Sequence, residues 1–114
     1  MKRKTRSGML YVLQADNGVY KLGCTTKKDV TNRLRYARSI FKTDFKVKLL
    51  SKRVKDVFGL ENDMIWRMHH CQCYFPIDHG FCDSKTRGSG EIFYNCLNYV
   101  KEFMSKRHID YLEY

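Results

Sequence analysis

GMLYVLQADNGVYKLGCTTKKDVTNR, residues 8–33, reads as a strand, a tight turn, a return strand, a loop and the start of a helix. Met9 to Leu13 is apolar and rich in β-formers. Asp16-Asn17-Gly18 is a strong turn signal, because Asn-Gly tolerates the positive φ angles of a tight hairpin. Val19 to Gly23 is the return strand. The turn register carries a consequence. A two-residue Asn17-Gly18 turn pairs Leu13 with Leu22 and puts Tyr11 and Tyr20 on one face. A change of one residue puts Tyr11 on the face of Lys21 instead. Asp29 is the expected N-cap of a helix from Val30 to about Phe41. At about 100° per residue, Val30, Leu34, Ala37 and Phe41 share an apolar stripe, with Arg35, Arg38 and Lys42 opposite. Arg33 falls on the edge of that stripe, beside Ile40, where a charge is costly without a partner or a ligand. An ion pair with Glu61 is the structural alternative.

Outward from this stretch, Phe45-Lys46-Val47-Lys48-Leu49 alternates with period two and reads as a half-exposed strand. Its lysines guard a sheet edge or line a groove. A second helix is expected from about Val57 to Cys71, with Val57, Leu60, Met64, Met68 and Cys71 on one face and Glu61 at its border. Pro76 to Gly90 reads as a loop, and Glu91-Ile92-Phe93-Tyr94 as a short extended piece. Asn95 precedes a last helix with Leu97, Val100, Phe103 and Met104 on one face. The fold class implied is α/β (α+β), a small antiparallel or mixed three-stranded sheet flanked by helices. Residues 1–7 form a flexible basic arm, 8–107 a single domain and 108–114 a short tail.

At 114 residues and 43% hydrophobic, the chain supports one modest core. A net charge of +10, with eight tyrosines, favours a polyanionic partner such as DNA, with RNA as the alternative. No apolar run approaches the ~18 residues of a membrane span, so no membrane partner is expected. The start, MKRKTRSGML, lacks the apolar core of a signal peptide. Five cysteines at irregular spacing argue against a disulfide framework and for an intracellular, reducing compartment.

Gly8-Met9-Leu10-Tyr11-Val12-Leu13, Tyr20-Lys21-Leu22-Gly23, Arg33-Leu34-Arg35, Glu61 and Gly90-Glu91-Ile92-Phe93 together resemble the GIY-YIG nuclease superfamily, over roughly residues 8 to 104. The likeness is to a phage and large-virus branch with a KIG-type second motif, so a viral setting implies the host cytoplasm or nucleus. The resemblance implies a GIY-YIG-like fold and an endonuclease that hydrolyses phosphodiester bonds in DNA with one Mg²⁺ or Mn²⁺. It assigns water activation to Tyr11, the scissile phosphate to Arg33 and the metal to Glu61. Counted back from Gly23, the second-motif position is Lys21, so either the strand is shifted to present Tyr20 or Lys21 takes that role. Many members carry His or Tyr one turn after the arginine; here that position is Ala37, with Tyr36 adjacent. Tyr36, Glu91 and Asn95 are additional candidates.

A separate chemistry is legible in HHCQCYFPIDHGFC, residues 69–82, where His70, Cys73, His79 and Cys82 form H-x2-C-x5-H-x2-C. Imidazole and thiolate ligands at this spacing suit a structural zinc ion. The alternative function is a catalytically weak or inactive nucleic-acid-binding module of the same fold, with or without a stabilising zinc, and a third reading is a zinc-stabilised interaction protein. No DNA-reading domain is evident, so low intrinsic specificity is expected unless a homodimer or a DNA-targeting partner protein provides it.

Overall fold

The computed structural model describes residues 5–69, 92–93 and 96–114. β1 (Met9–Ala15) carries buried side chains on both faces, so it belongs in the middle of a sheet that is covered on both sides. That is where it lies. The other strands are β2 (Tyr20–Thr25), β3 (Phe45–Ser51), β4 (Ile92–Phe93) and β5 (Tyr111–Glu113), in the order β4-β2-β1-β3-β5. Every pairing is antiparallel. Helices α1 (Thr31–Phe41), α2 (Val57–His69) and α3 (Leu97–Lys106) complete an α+β fold.

The sheet has five strands among the described residues rather than the expected three. The two additions, β4 and β5, are edge strands of two and three residues. Segments that short hold too few residues to display a period. β5 also shows that residues 111–113, read as part of a tail, pair with β3. No helix among the described residues is long and apolar enough to cross a membrane.

The sheet divides two apolar clusters. One face packs Leu10, Val12, Leu22, Cys24 and Leu49 against Val57, Met64 and Met68 of α2 and Val100, Phe103 and Met104 of α3. The other packs Tyr11, Leu13, Ala15 and Phe45 against Ala37 and Phe41 of α1. Strict alternation along β3 would put Val47 and Leu49 on one face. A register shift between Val12 and Leu13 inserts Lys48 as a bulge, so Val47 opposes Leu13 while Leu49 opposes Val12. Val47 and Leu49 therefore join different clusters.

The helix starts follow local chemistry. α1 begins at Thr31, one residue later than expected, with Val30 at the N-cap position. Asp29 nevertheless accepts the Thr31 backbone N–H at 2.9 Å, so the carboxylate still satisfies a free donor of the first turn. The Asp56 carboxylate accepts the Gly59 N–H at 3.1 Å and caps α2 in the same way. α3 begins at Leu97 with Cys96, not Asn95, at its N-cap position. At the far end of α2 the His69 ring meets Phe93 edge-on at 5.6 Å, so the chain leaves α2 and enters β4 at one place.

Candidate functional site

The hairpin turn settles which residue accompanies Tyr11. The Ala15 N–H donates to Val19 O at 2.9 Å and the Gly18 N–H to Ala15 O at 2.9 Å, enclosing Asp16, Asn17 and Gly18. The loop therefore has three residues rather than two, and Gly18 takes the positive φ of +92° that such a loop requires. Tyr11 then opposes Gly23, and Leu13 opposes Lys21. Opposed residues in an antiparallel pair share a face, so Lys21 lies on the face of Tyr11. Tyr20 points to the other side, packed against the α2–α3 cluster. A reading that puts Tyr11 and Tyr20 on one face is thus corrected by one residue of turn length.

Both members of the Tyr11–Lys21 pair are buried, with 3% and 7% of their surface exposed. The Lys21 ammonium lies 5.8 Å from the centre of the Tyr11 ring, within cation–π range. Lys21 also donates to the Leu22 carbonyl at 3.5 Å. Ile92 of β4 opposes Lys21 and closes its outer side. The phenol of Tyr11 crosses β2 at Gly23: a Cβ there would collide with the Tyr11 hydroxyl and ring. Along this face of β2 the residues run Lys21, Gly23, Thr25, with the phenol above the middle one.

Thr25 leads out of the sheet into a groove. Thr25, Thr26 and Lys27 form one wall, and Asn32, Arg33 and Tyr36 of α1 form the other, enclosing about 220 Å³. Helix geometry sets this orientation. Arg33 and Arg38 lie about 140° apart around α1. Arg38 donates to the Phe45 carbonyl at 3.1 Å and pairs with Asp44 at 2.6 Å, so its flank is tied to β3. The flank with Arg33 and Tyr36 therefore faces β2. Arg33 is exposed and makes no ion pair or hydrogen bond with a described residue. That corrects the expectation of a half-interior charge: the long side chain leaves the stripe edge for solvent, as arginines do. Tyr36 is 41% exposed one turn further along the same wall.

Glu61 stands on the helix that covers the other face of the sheet. Val57, Met64 and Met68 of α2 are fully buried against β1 and β2, and Glu61 is the ionisable residue on that same helical stripe. It is half-buried. α2 starts at the same end of the sheet as the groove, since the space beside Gly8 is bounded by Thr25 O and by Val57 Cγ1. Arg33 and Glu61 stand on helices that cover opposite faces and do not pair.

The surroundings of the groove are positively charged, with Lys27, Lys28, Arg33 and Arg35 all exposed. The nearest acid in sequence, Asp29, is engaged by Thr31. The backbone and then the side-chain hydrogen bond from Thr31 hold its carboxyl below the ordinary carboxylate value. Among the described residues no group of three or more His, Cys, Asp or Glu lies together. Glu91, Asn95 and the zinc candidates His70, Cys73, His79 and Cys82 lie outside the described residues. Thr25, Thr26 and Lys27 were missed as site residues. Their signal is the polar run between a β-strand and a helix start, where anions are commonly held. Comparison with protein-family models, curated proteins and solved structures finds no match to this chain.

Proposed function

We propose that this chain is a small endonuclease that hydrolyses phosphodiester bonds in DNA, with a GIY-YIG-like arrangement. The observation that supports it best is the hairpin register, which sets Lys21 beside Tyr11 and the phenol over Gly23, on the strand whose last residue, Thr25, lines a groove with Arg33, a cation without a partner among the described residues. Hydrolysis needs an aligned water, a neutralised phosphate and a stabilised leaving oxygen. The Arg33 guanidinium takes the phosphate with two parallel N–H donors. The Tyr11 hydroxyl orients the water, and Lys21 sets a positive charge beside the ring that carries it. Glu61 suits a divalent ion, because Mg²⁺ is commonly held by one or two carboxylates plus waters and phosphate. Such an ion, when bound, would supply positive charge to a phosphodiester. With Arg33 and Glu61 on helices over opposite faces, the two would act on one phosphate only around the sheet end where β2 and α2 lie together. Plasmid DNA incubated with Mg²⁺ or Mn²⁺ tests the reading. Wild-type protein nicks or cuts it and Glu61→Ala does not; absence of cleavage of every DNA form tried would end the proposal.

The deep burial of Tyr11 and Lys21 favours a second reading, a nucleic-acid-binding module of the same fold without cleavage. It predicts salt-sensitive DNA binding that Glu61→Ala leaves unchanged.

A further inference from the structure

Arg53 lies in the connection between β3 and α2, outside both walls of the groove, yet its guanidinium is committed to the loop that forms one of them. Its Nη1 donates to the Lys27 carbonyl at 3.0 Å and its Nη2 to the Thr26 carbonyl at 2.9 Å. The same Nη2 donates to the Ser7 carbonyl at 3.2 Å, and Nε to the Ser7 hydroxyl at 3.4 Å. Four donations from one planar group occupy most of the five N–H donors an arginine has. Three separate pieces of chain meet there: the segment before β1, the β2–α1 loop and the β3–α2 connection.

We infer that Arg53 is a positioning residue for a phosphate group bound in the Arg33 groove, acting by fixing the Thr25–Lys27 wall through its carbonyls. This rests on the groove being the anion site of the proposed function. The physical case is directional. The carbonyls of Thr26 and Lys27 would repel an anion if they turned into the groove. Arg53 holds both toward itself. The Lys27 N–H is also held, donating to the Thr25 hydroxyl at 3.1 Å, so the loop is constrained from two sides. A flexible loop would have to be ordered when the ligand binds, and that ordering costs affinity. The clasp removes that cost beforehand. Lysine cannot replace it, since an ammonium is a point charge without the planar fork that reaches several carbonyls at once.

The test is a titration with inorganic phosphate, followed through the amide signals of Thr26 and Lys27 and the Nε–H signal of Arg33. Wild-type protein responds at all three. Arg53→Ala and Arg53→Lys weaken phosphate binding alike, on the order of tenfold, because a wall misplaced by about an ångström loses its fit. Both variants keep cooperative unfolding. Wild-type affinity in Arg53→Lys would overturn the inference, since charge alone would then suffice. So would unchanged affinity in both variants, or loss of cooperative unfolding in both, which would make Arg53 a support of the fold rather than of the groove. Absence of any phosphate response in wild-type protein overturns the groove assignment while plasmid cleavage is scored separately. Absence of cleavage with the phosphate response intact overturns the nuclease reading and leaves Arg53 where it stands.

Discussion

Replacing Gly23 with alanine is the sharpest test of how the hairpin is built. The new Cβ would lie 2.6 Å from Tyr11 Cε1 and closer still to Cζ and the hydroxyl. Carbon atoms settle about 3.5–4.0 Å apart, so the ring tip must move by about 1 Å or more. Tyr11 is 3% exposed and sits between Lys21 and α1, so it has little room to yield. Overpacking of this kind costs about 1–3 kcal/mol. Loss of glycine's freedom in the unfolded chain offsets about 0.4–1 kcal/mol of that. The net expectation is a destabilisation of about 1–2 kcal/mol, or a fall in Tm of roughly 5 °C for a domain of this size. Urea and thermal unfolding of Gly23→Ala, Tyr11→Leu and the double variant would measure it. Leucine cannot reach across β2, so Gly23→Ala should cost little in that background, and the coupling should be about 1 kcal/mol. A single variant as stable as wild type, with no coupling to position 11, would refute both the phenol's path and the register that sends it there.

Two further expectations concern the groove and the start of α1. Arg33→Ala should change stability by less than about 0.5 kcal/mol, because the side chain is exposed. It should nevertheless weaken duplex DNA binding about tenfold at low salt and by less as salt rises, read by fluorescence anisotropy. Asp29 has its carboxyl held below the ordinary 3.8 by Thr31. Its contribution is therefore fully present above that ordinary value and is lost as pH falls through the lowered folded value. Asp29→Ala should melt below wild type at neutral pH, and the two Tm values should converge in strong acid.

Much of the architecture was legible because several elements are long enough to display a period. The hairpin, α1, β3, α2 and α3 all occur where alternation or a helical stripe puts them. Turn length was not legible, since Asp16-Asn17-Gly18 serves a two-residue or a three-residue loop equally well. That single residue exchanges Tyr20 for Lys21 beside Tyr11. The Lys48 bulge was hidden for a related reason: period-two alternation looks the same in the sequence whether or not the backbone takes an extra step. Arg33 was placed on the correct flank of its helix, but the flexibility of its side chain decides its exposure. Glu61 was placed by the helical stripe of Val57, Met64 and Met68, and on that stripe it is half-buried.

The central place of β1 has a consequence for motion. A middle strand has both edges paired and both faces covered, so its amides should exchange with solvent only when the whole domain opens. Tyr11 therefore rides on one of the slowest parts of the molecule, and nothing short of global unfolding should displace its backbone. The outer parts of the groove, Lys27 and the exposed flank of α1, lie at the surface, where opening is cheaper. Any adjustment to a bound polyanion would take place on the α1 flank, against a phenol that stays still and a loop that Arg53 holds. Residue-by-residue exchange rates would then fall into two groups across a site only a few residues wide.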